Sequence, residues 1–295
     1  MHLNFQILVL CLVVYSENIR AAQLPQTYGV TPTPYHDWDY ILFSQRWAIT
    51  SCTEWEEAKA GNTCTFPPDR TQWIVHGMWP TKKGTEGPLF CPSAIHFDPD
   101  QLDPMLDALK AQWTNVEANT KLYSFWKHEW DKHGTCSVDL PALNSIPNFF
   151  NKGLELNKQF NIADMLLQSQ ITPGTTGYTV DEIVNAIKAV TKHEPTVQCV
   201  VESHTKVSMI SEIRICLDKS FEVIDCESTS LVNKTLGSAI TNCSKKKPIM
   251  YLDNVPDDAQ SQIDYIDEYS EERFRESAYY MEFYKLVKFL IWFSM

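Results

Sequence analysis

Eight cysteines constrain the fold of this chain more than any other feature of its 295 residues. The sequence contains nine cysteines, but Cys11 lies in the apolar N-terminal stretch, which leaves an even number for the rest of the chain. An even count in an exported protein indicates a disulfide framework, and the sequence alone does not choose among the many possible pairings. None of these cysteines has the CxxC spacing of a zinc ribbon. The eight are Cys52, Cys64, Cys91, Cys136, Cys199, Cys216, Cys226 and Cys243.

The first 22 residues have the pattern of a secretory signal. An apolar run from Ile7 to Tyr15 precedes the small residues Ala21 and Ala22, and it is too short to span a membrane. We therefore expect a protein without a transmembrane span that is secreted or delivered to the lysosome. Glycosylation sequons at Asn233 and Asn242 are consistent with export.

Removal of the signal leaves enough residues for one large domain or two small ones. We assign residues 23–250 to a single domain. Residues 251–295 form an extension with ten acidic and four basic residues, so they carry half of the net charge of −12. The acidic part is predicted to be a solvated or partly disordered appendage. Its apolar end, LVKFLIWFSM, is compatible with packing on the body, resting on a membrane surface or serving as an anchoring signal, although no small-residue processing site supports the last.

The order of predicted elements indicates an α+β fold with a central antiparallel sheet. Strands are predicted where branched and aromatic residues cluster, and helices where apolar residues recur at helical spacing. The predicted strands are WDYILFSQRWAITSC, TQWIVHGMWP, Val197 to Val201, Lys206 to Leu217 and Phe221 to Ile224. The predicted helices are Asp98 to Trp113, FWKHEWDKHGTC, Ile146 to Phe160, and Val180 to Lys192 with a Thr179/Glu182 capping box.

The stretch FWKHEWDKHGTC, from Phe125 to Cys136, concentrates titratable side chains. On a helix, Glu129, Lys132 and His133 share one face, because they are spaced at i, i+3 and i+4. Trp126 and Trp130 lie on a flank, where they can bury against the core. The pattern predicts a helix held by its tryptophans with a charged face that lines a cleft.

A metalloprotease is the competing interpretation, because His128 and Glu129 begin like the zinc motif HExxH. The position of the second histidine is occupied by Lys132, and an ammonium group is a poor neighbour for a divalent cation. The zinc interpretation therefore fails on both spacing and charge.

A third histidine, His76, lies in WIVHGMWP, at the end of a predicted strand and directly before a glycine. A lone histidine there is more often structural. Two separated histidines together with a lysine can divide acid and base roles across a phosphate.

Together, WIVHGMWP and FWKHEWDKHGTC closely resemble the two active-site segments of the T2 ribonuclease family. The resemblance extends to YILFSQRW and to the order of the cysteines, so it covers roughly residues 38–248. It implies a disulfide-stabilised antiparallel sheet packed with several helices. It also implies a monomeric endoribonuclease that cleaves single-stranded RNA but not DNA, through a 2′,3′-cyclic phosphate, without metal or other cofactor.

The resemblance also implies roles at the matching positions. His133 is expected to be the general base that takes the proton of the ribose 2′-hydroxyl, and His76 the general acid that protonates the departing 5′-oxygen. Lys132 and Glu129 are expected to stabilise the pentacovalent phosphorane, and His128 to hold the phosphate. Because one imidazole must be neutral and the other protonated, we expect a rate maximum below neutral pH, with Glu129 and the helix end favouring protonated His133 and Lys132 opposing it.

By the same resemblance, Trp79 and Phe125 form parts of two base pockets, where stacking needs only a flat ring. The chain departs from the family pattern at Met78, which is commonly Leu, and at Thr81, where an acidic residue is frequent. Thr81 removes the carboxylate acceptor that an acidic residue there could use to read a base edge, which leaves base preference open.

The resemblance further implies the disulfide pairs Cys52 with Cys64, Cys91 with Cys136, Cys199 with Cys243, and Cys216 with Cys226.

One alternative function remains, a secreted recognition or signalling protein on the same fold with catalysis secondary or lost. The complete set of titratable residues favours the enzyme, because a binding module needs no acid and base pair.

Overall fold

The structure is a computed structural model that describes residues 37–85, 87–203, 205–226 and 241–255. The predicted signal at residues 1–22, the sequon at Asn233 and residues 256–295 of the extension lie outside these ranges. Among the helices that the structure describes, none is both long enough and apolar enough to cross a membrane.

A seven-stranded sheet forms the centre of the fold. Its strands are β1 (Tyr40–Arg46), β2 (Ile74–Thr81), β3 (Gly177–Tyr178), β4 (Thr196–Val201), β5 (Ser208–Leu217), β6 (Val223–Ile224) and β7 (Ile249–Met250). The order is β2-β1-β5-β7-β3, and β4 and β6 also pair with β5. Every pair is antiparallel except β5 with β7, which is parallel. The predicted α+β class is confirmed, with one parallel pair that the sequence did not indicate.

The helices are α1 (Ala48–Ala58), α2 (Leu106–Gln112), α3 (Ser124–Lys132), α4 (Ile146–Gln159), α5 (Ile162–Leu167) and α6 (Val180–Thr191). Helix α6 begins at the predicted capping box, in which Thr179 Oγ1 accepts from the Glu182 amide and Glu182 Oε2 accepts from the Thr179 amide. These reciprocal bonds satisfy two backbone donors that a helix start leaves unpaired.

Two predicted elements are wrong in part. The helix predicted from Asp98 to Trp113 is a 3₁₀ segment, Pro99–Met105, followed by α2. Pro104 lies inside the first segment, and its missing N–H disfavours a continuous α-helix. The strand predicted through Cys52 ends at Arg46 and is followed by α1, in which the buried residues recur at helical rather than alternating spacing.

The hydrophobic core extends past residue 250, where the sequence placed the domain boundary. Tyr251 and Leu252 are buried. The Tyr251 hydroxyl accepts a hydrogen bond of 2.8 Å from Trp73 Nε1, and the Leu252 carbonyl accepts one of 2.7 Å from Trp47 Nε1. These two residues therefore belong to the body of the protein, as does Val255, which packs against the same core.

Four disulfides link the body, and their pairing is the one that the resemblance implied. Cys91–Cys136 joins the loop before the 3₁₀ segment to the end of the α3 region. The others are Cys52–Cys64, Cys199–Cys243 and Cys216–Cys226.

Candidate active site

His76 occupies a β-bulge in strand β2. Ser44 of β1 pairs with Gly77, and the next residue, Gln45, pairs with Val75, so His76 is the extra residue between them. A bulge locally bends the strand and redirects its side chain, and bulges are frequent beside active sites. The imidazole is partly exposed, with 27% of its side chain accessible, and it lines a cleft.

Gly77 is required by the close approach of two other site residues. A Cβ at this position would lie 2.1 Å from Glu129 Oε2 and 2.2 Å from Trp79 Nε1, so both of these side chains would have to move away. The glycine of WIVHGMWP therefore allows the two motifs to meet.

Helix α3 carries the second motif and is anchored by its tryptophans as predicted. Trp126 and Trp130 are 1% and 0% exposed. Their Nε1 atoms donate to the carbonyls of Trp113 and Ile95, at 2.9 and 3.2 Å. Helix α3 ends at Lys132, and His133 caps it. This anchoring directs the opposite face of the helix toward β2.

A cleft of about 320 Å³ lies where β2, α3 and β5 meet. Five of the residues predicted from the two motifs to act on the phosphate line this one cleft, and so does Trp79. Phe125 is not among the lining residues, but its ring stacks on His76 with centroids 6.0 Å apart. The lining residues are Leu42, His76, Trp79, Thr81, Thr85, Leu89, His128, Glu129, Lys132, His133 and Arg214.

Trp79 contacts other residues of the site. Its Nε1 donates a hydrogen bond of 3.0 Å to Glu129 Oε2, and its ring stacks on His133 with centroids 5.2 Å apart. The guanidinium of Arg214 lies 5.1 Å from the same indole. Trp79 therefore positions site residues, in addition to any contact that it makes with a base.

His133 is held as a neutral imidazole. The residue is 6% exposed, and its Nδ1 has no hydrogen-bond partner among the described residues. Burial lowers the pKa of His133 to about 2, and the positive charges of Lys132, His76 and His128 act in the same direction. The expectation that Glu129 and the helix end favour protonated His133 is wrong, because burial dominates.

Glu129 is 1% exposed. Burial raises its pKa, against the opposing effects of His76 and of the hydrogen bond from Trp79. In mildly acidic solution the carboxyl group is thus more readily protonated than an exposed glutamate.

Three residues that the sequence did not single out also belong to the site, namely Glu212, Arg214 and Ser44. Glu212 contacts His76, and its other oxygen accepts from Arg214 Nε at 2.8 Å and from Ser44 Oγ at 3.1 Å. A signal was present in β5, since SMISEIRICL carries two opposite charges at i and i+2 in an otherwise buried apolar strand. Charged residues on one face of a buried strand need partners there.

Among the described residues, one grouping of cysteine, histidine and carboxylate side chains is compact enough for a metal, and it consists of Cys52, Glu56 and Cys64. Both cysteines are joined in a disulfide and are not available as thiolate ligands.

Comparison with known proteins gives consistent results. The model of the Ribonuclease T2 family matches residues 38–226. Ribonuclease Oy from Magallana gigas is 35% identical over 218 residues, which cover 73% of this chain and 96% of that protein. Ribonuclease T2 from Sus scrofa is 33% identical over 66% of this chain and 92% of its own length.

Solved structures give the same answer for the fold. The crystal structure of human RNase T2 matches with a TM-score of 0.58 and 29% identity, covering 73% of this chain and 98% of that one. RNase NT in complex with 5′-AMP matches with a TM-score of 0.55 and 27% identity, covering 64% and 91%.

Proposed function

The chain belongs to the ribonuclease T2 family, and from this premise we propose that it is a metal-independent endoribonuclease acting on single-stranded RNA. The proposed reaction is transphosphorylation, in which the ribose 2′-oxygen attacks the adjacent phosphorus and the bond to the 5′-oxygen breaks. It leaves a 2′,3′-cyclic phosphate. The observation that carries this proposal is that two histidines from separate motifs, His76 and His133, line one cleft with Lys132.

His133 is proposed as the general base. A base must be neutral to accept the 2′-hydroxyl proton, and the lowered pKa of His133 keeps its imidazole neutral throughout mildly acidic solution. In DNA there is no 2′-hydroxyl to deprotonate, so DNA is not expected to be a substrate.

His76 is proposed as the general acid. It faces the cleft from β2, on a different element from His133, which suits a proton donor to a leaving group on the far side of the phosphate. The proton taken from the 2′-hydroxyl and the one given to the 5′-oxygen then pass through different imidazoles.

Lys132 and Glu129 are proposed to stabilise the phosphorane. Lys132 brings a positive charge to the developing anion, and Glu129, whose pKa is raised by burial, can donate a hydrogen bond once protonated. His128, which is exposed on the same cleft, is proposed to hold the phosphate. Trp79 and Phe125 remain proposals for base contacts.

The remaining expectations are also proposals. They are a signal at residues 1–22, a body that we now extend to residue 255, secretion or lysosomal delivery, glycosylation at Asn233 and Asn242, and a monomeric state. The Asn242 side chain is exposed, and its amide pairs with the backbone of Cys199 through hydrogen bonds of 2.7 and 3.0 Å.

Digestion of single-stranded RNA with and without EDTA tests the proposal, with a DNA strand of the same sequence as a second substrate. We expect cleavage that survives EDTA, terminal 2′,3′-cyclic phosphates on the products and intact DNA. The variant His133→Ala, purified in parallel, controls for contaminating ribonuclease. Loss of cleavage on chelation would overturn the mechanism, and an inactive but folded protein would favour the recognition alternative.

A further inference from the structure

We propose that Glu212 is a positioning residue for His76, and that its carboxylate holds the Nδ1–H of the imidazole so that Nε2 is the nitrogen presented to the substrate. The inference rests on the proposed function, because that function assigns His76 its acid role. It gives a role to a residue of strand β5 in a site whose proposed reacting groups all come from the two sequence motifs.

The contact spans a strand. His76 lies on β2 and Glu212 on β5, and β1 runs between them. Ser44 of β1 pairs with Gly77 of β2 on one side and with Arg214 of β5 on the other. The segments that carry His76 and Glu212 therefore lie on either side of Ser44. The bulge redirects the His76 side chain, and its Nδ1 meets Glu212 Oε1.

The two oxygens of Glu212 have separate partners. Oε1 contacts His76 Nδ1, whereas Oε2 accepts from Arg214 through Nε at 2.8 Å and Nη2 at 2.6 Å. Ser44 Oγ donates to the same Oε2 at 3.1 Å. These bonds fix the orientation of the carboxylate, and the Arg214 guanidinium is itself held against Trp79.

Glu212 is ionised, although only 14% of its side chain is exposed. Burial by itself would raise its pKa, but the charges and hydrogen bonds of His76 and Arg214 outweigh burial and hold the pKa well below its usual range. An ionised carboxylate has no proton to donate. The nitrogen that meets it must therefore carry the hydrogen, which assigns that hydrogen to Nδ1.

The His76 ring is restrained on other sides as well. Phe125 stacks on it at 6.0 Å, and Trp79 meets it edge to face at 5.0 Å. The strand itself is fixed by a hydrogen bond of 3.0 Å from Trp113 Nε1 to the His76 carbonyl. Packing limits the tilt of the ring, but among the residues that the structure describes, Glu212 is the one whose contact distinguishes one ring nitrogen from the other.

The tautomer matters in both halves of the reaction. In cleavage, protonated His76 gives its Nε2 proton to the departing 5′-oxygen and becomes neutral with its hydrogen on Nδ1. When the cyclic phosphate is later hydrolysed, the Nε2 lone pair can take a proton from the attacking water. A neutral ring with its hydrogen on Nε2 has no such lone pair there, so loss of Glu212 lets the ring adopt an unproductive tautomer.

The test compares Glu212→Gln with Glu222→Gln in the full chain. Glu222 is exposed on the turn that follows β5, so its variant makes the same charge change away from His76. The kcat and KM are measured with a dinucleoside monophosphate and with a 2′,3′-cyclic mononucleotide. The side-chain nitrogen resonances of His76 report the tautomer by NMR.

We expect Glu212→Gln to lower kcat by about 10²-fold with KM within about twofold of wild type, and the Nδ1–H tautomer to lose its dominance. Glu212→Asp, which keeps a carboxylate, should recover part of kcat, and Glu222→Gln should match wild type. A purely structural role would instead be expressed as reduced stability, with kcat per folded molecule unchanged.

Unchanged kcat and an unchanged tautomer in Glu212→Gln would overturn the inference. If Glu212→Gln does not fold because Arg214 is left unpaired, Glu212→Gln/Arg214→Met removes both charges and is compared with Arg214→Met, so that the loss of Arg214 from the cleft is common to both. If the wild-type protein does not cleave RNA, the proposed function fails. The NMR spectrum still decides whether Glu212 sets the tautomer.

Discussion

Trp79 Nε1 donates a hydrogen bond of 3.0 Å to Glu129 Oε2, and this bond joins the first active-site motif to the second. The acceptor is 1% exposed, so water cannot readily replace the indole N–H. The two motifs are thereby coupled in stability.

The substitution Trp79→Phe tests this coupling, because it keeps an aromatic ring beside His133 and removes the N–H. We expect the free energy of unfolding to fall by about 1–3 kcal/mol, the usual cost of leaving a buried polar group unpaired. The loss should be larger at pH 8 than at pH 5, since the unpaired group is then a carboxylate. Urea denaturation at both pH values measures it.

The matched control is Trp55→Phe, which removes a solvent-exposed indole bond to the Thr63 carbonyl. It should cost less than Trp79→Phe. Equal losses in the two variants would show that the buried bond contributes nothing specific.

Removal of either proposed proton-transfer residue should slow RNA cleavage strongly. We expect His76→Ala and His133→Ala each to lower kcat by about 10²–10⁴-fold. The double variant should lose less than the product of the two, because the residues act together in one step. Single-turnover cleavage measures the rates, and His193→Ala, in which a histidine outside the cleft is removed, should behave like wild type. Near-normal turnover of His76→Ala would make the acid assignment wrong.

Buried His133 should make the fold sensitive to acid. Its pKa is about 2 in the folded protein and near 6.5 in the unfolded chain, so the unfolded chain binds more protons between these values. Stability from this residue is therefore present above about pH 6.5 and is lost progressively as the pH falls toward 2.

The measurement is the free energy of unfolding at pH 7 and at pH 4 for wild type and for His133→Ala. The free energy of unfolding should fall less from pH 7 to pH 4 in the variant than in wild type, because the variant lacks the imidazole that titrates. The cavity left by the substitution lowers stability equally at both pH values. Equal losses would contradict a neutral, buried His133. For the same reason, protonation of His133 does not set the pH at which the cleavage rate falls in mildly acidic solution.

Truncation of the chain should be tolerated after Val255 but not after Met250. The shorter form lacks Tyr251 and Leu252 and leaves the buried Nε1 atoms of Trp47 and Trp73 without their acceptors. We expect it to be destabilised by several kcal/mol, from two unpaired donors and a lost buried ring. Thermal unfolding of both forms provides the comparison.

The longer form should keep its activity. Residues 256–295 carry nine acidic and four basic residues, so their removal should strengthen RNA binding at low salt and have less effect at high salt. A folded protein that ends at Val255 and is inactive at both salts would place part of the extension in the catalytic body.

The parts of the site that could be predicted from the sequence are those set by local spacing. Glu129, Lys132 and His133 share a face because a helix turn brings them together, and the Thr179/Glu182 box marks a helix start for the same reason. The disulfide pairs followed from the resemblance, since cysteine spacing alone leaves them open. The motif WIVHGMWP also identifies His76 as a candidate residue, but it does not reveal the β-bulge that orients the His76 side chain.

The parts that could not be predicted depend on strand pairing. Glu212 reaches His76 only because β5 lies next but one to β2, a relationship that no short stretch of sequence contains. Strand β7 has two residues, too few to show a period of two. Pro104 is visible in the sequence, but the helical spacing of the apolar residues around it predicts a continuous helix rather than a 3₁₀ segment.

The position of β7 in the sheet has a consequence for biosynthesis. β7 pairs with β5, which carries Glu212 and Arg214, and the residues that follow it hold Trp73 at the start of the His76 segment. At about 5–20 residues per second, β7 leaves the ribosome roughly 10 s after His133. Under the proposed function, all the reacting groups are therefore made before the strand that completes the sheet beside β5, and the site is finished only when β7 and Tyr251 have joined the body.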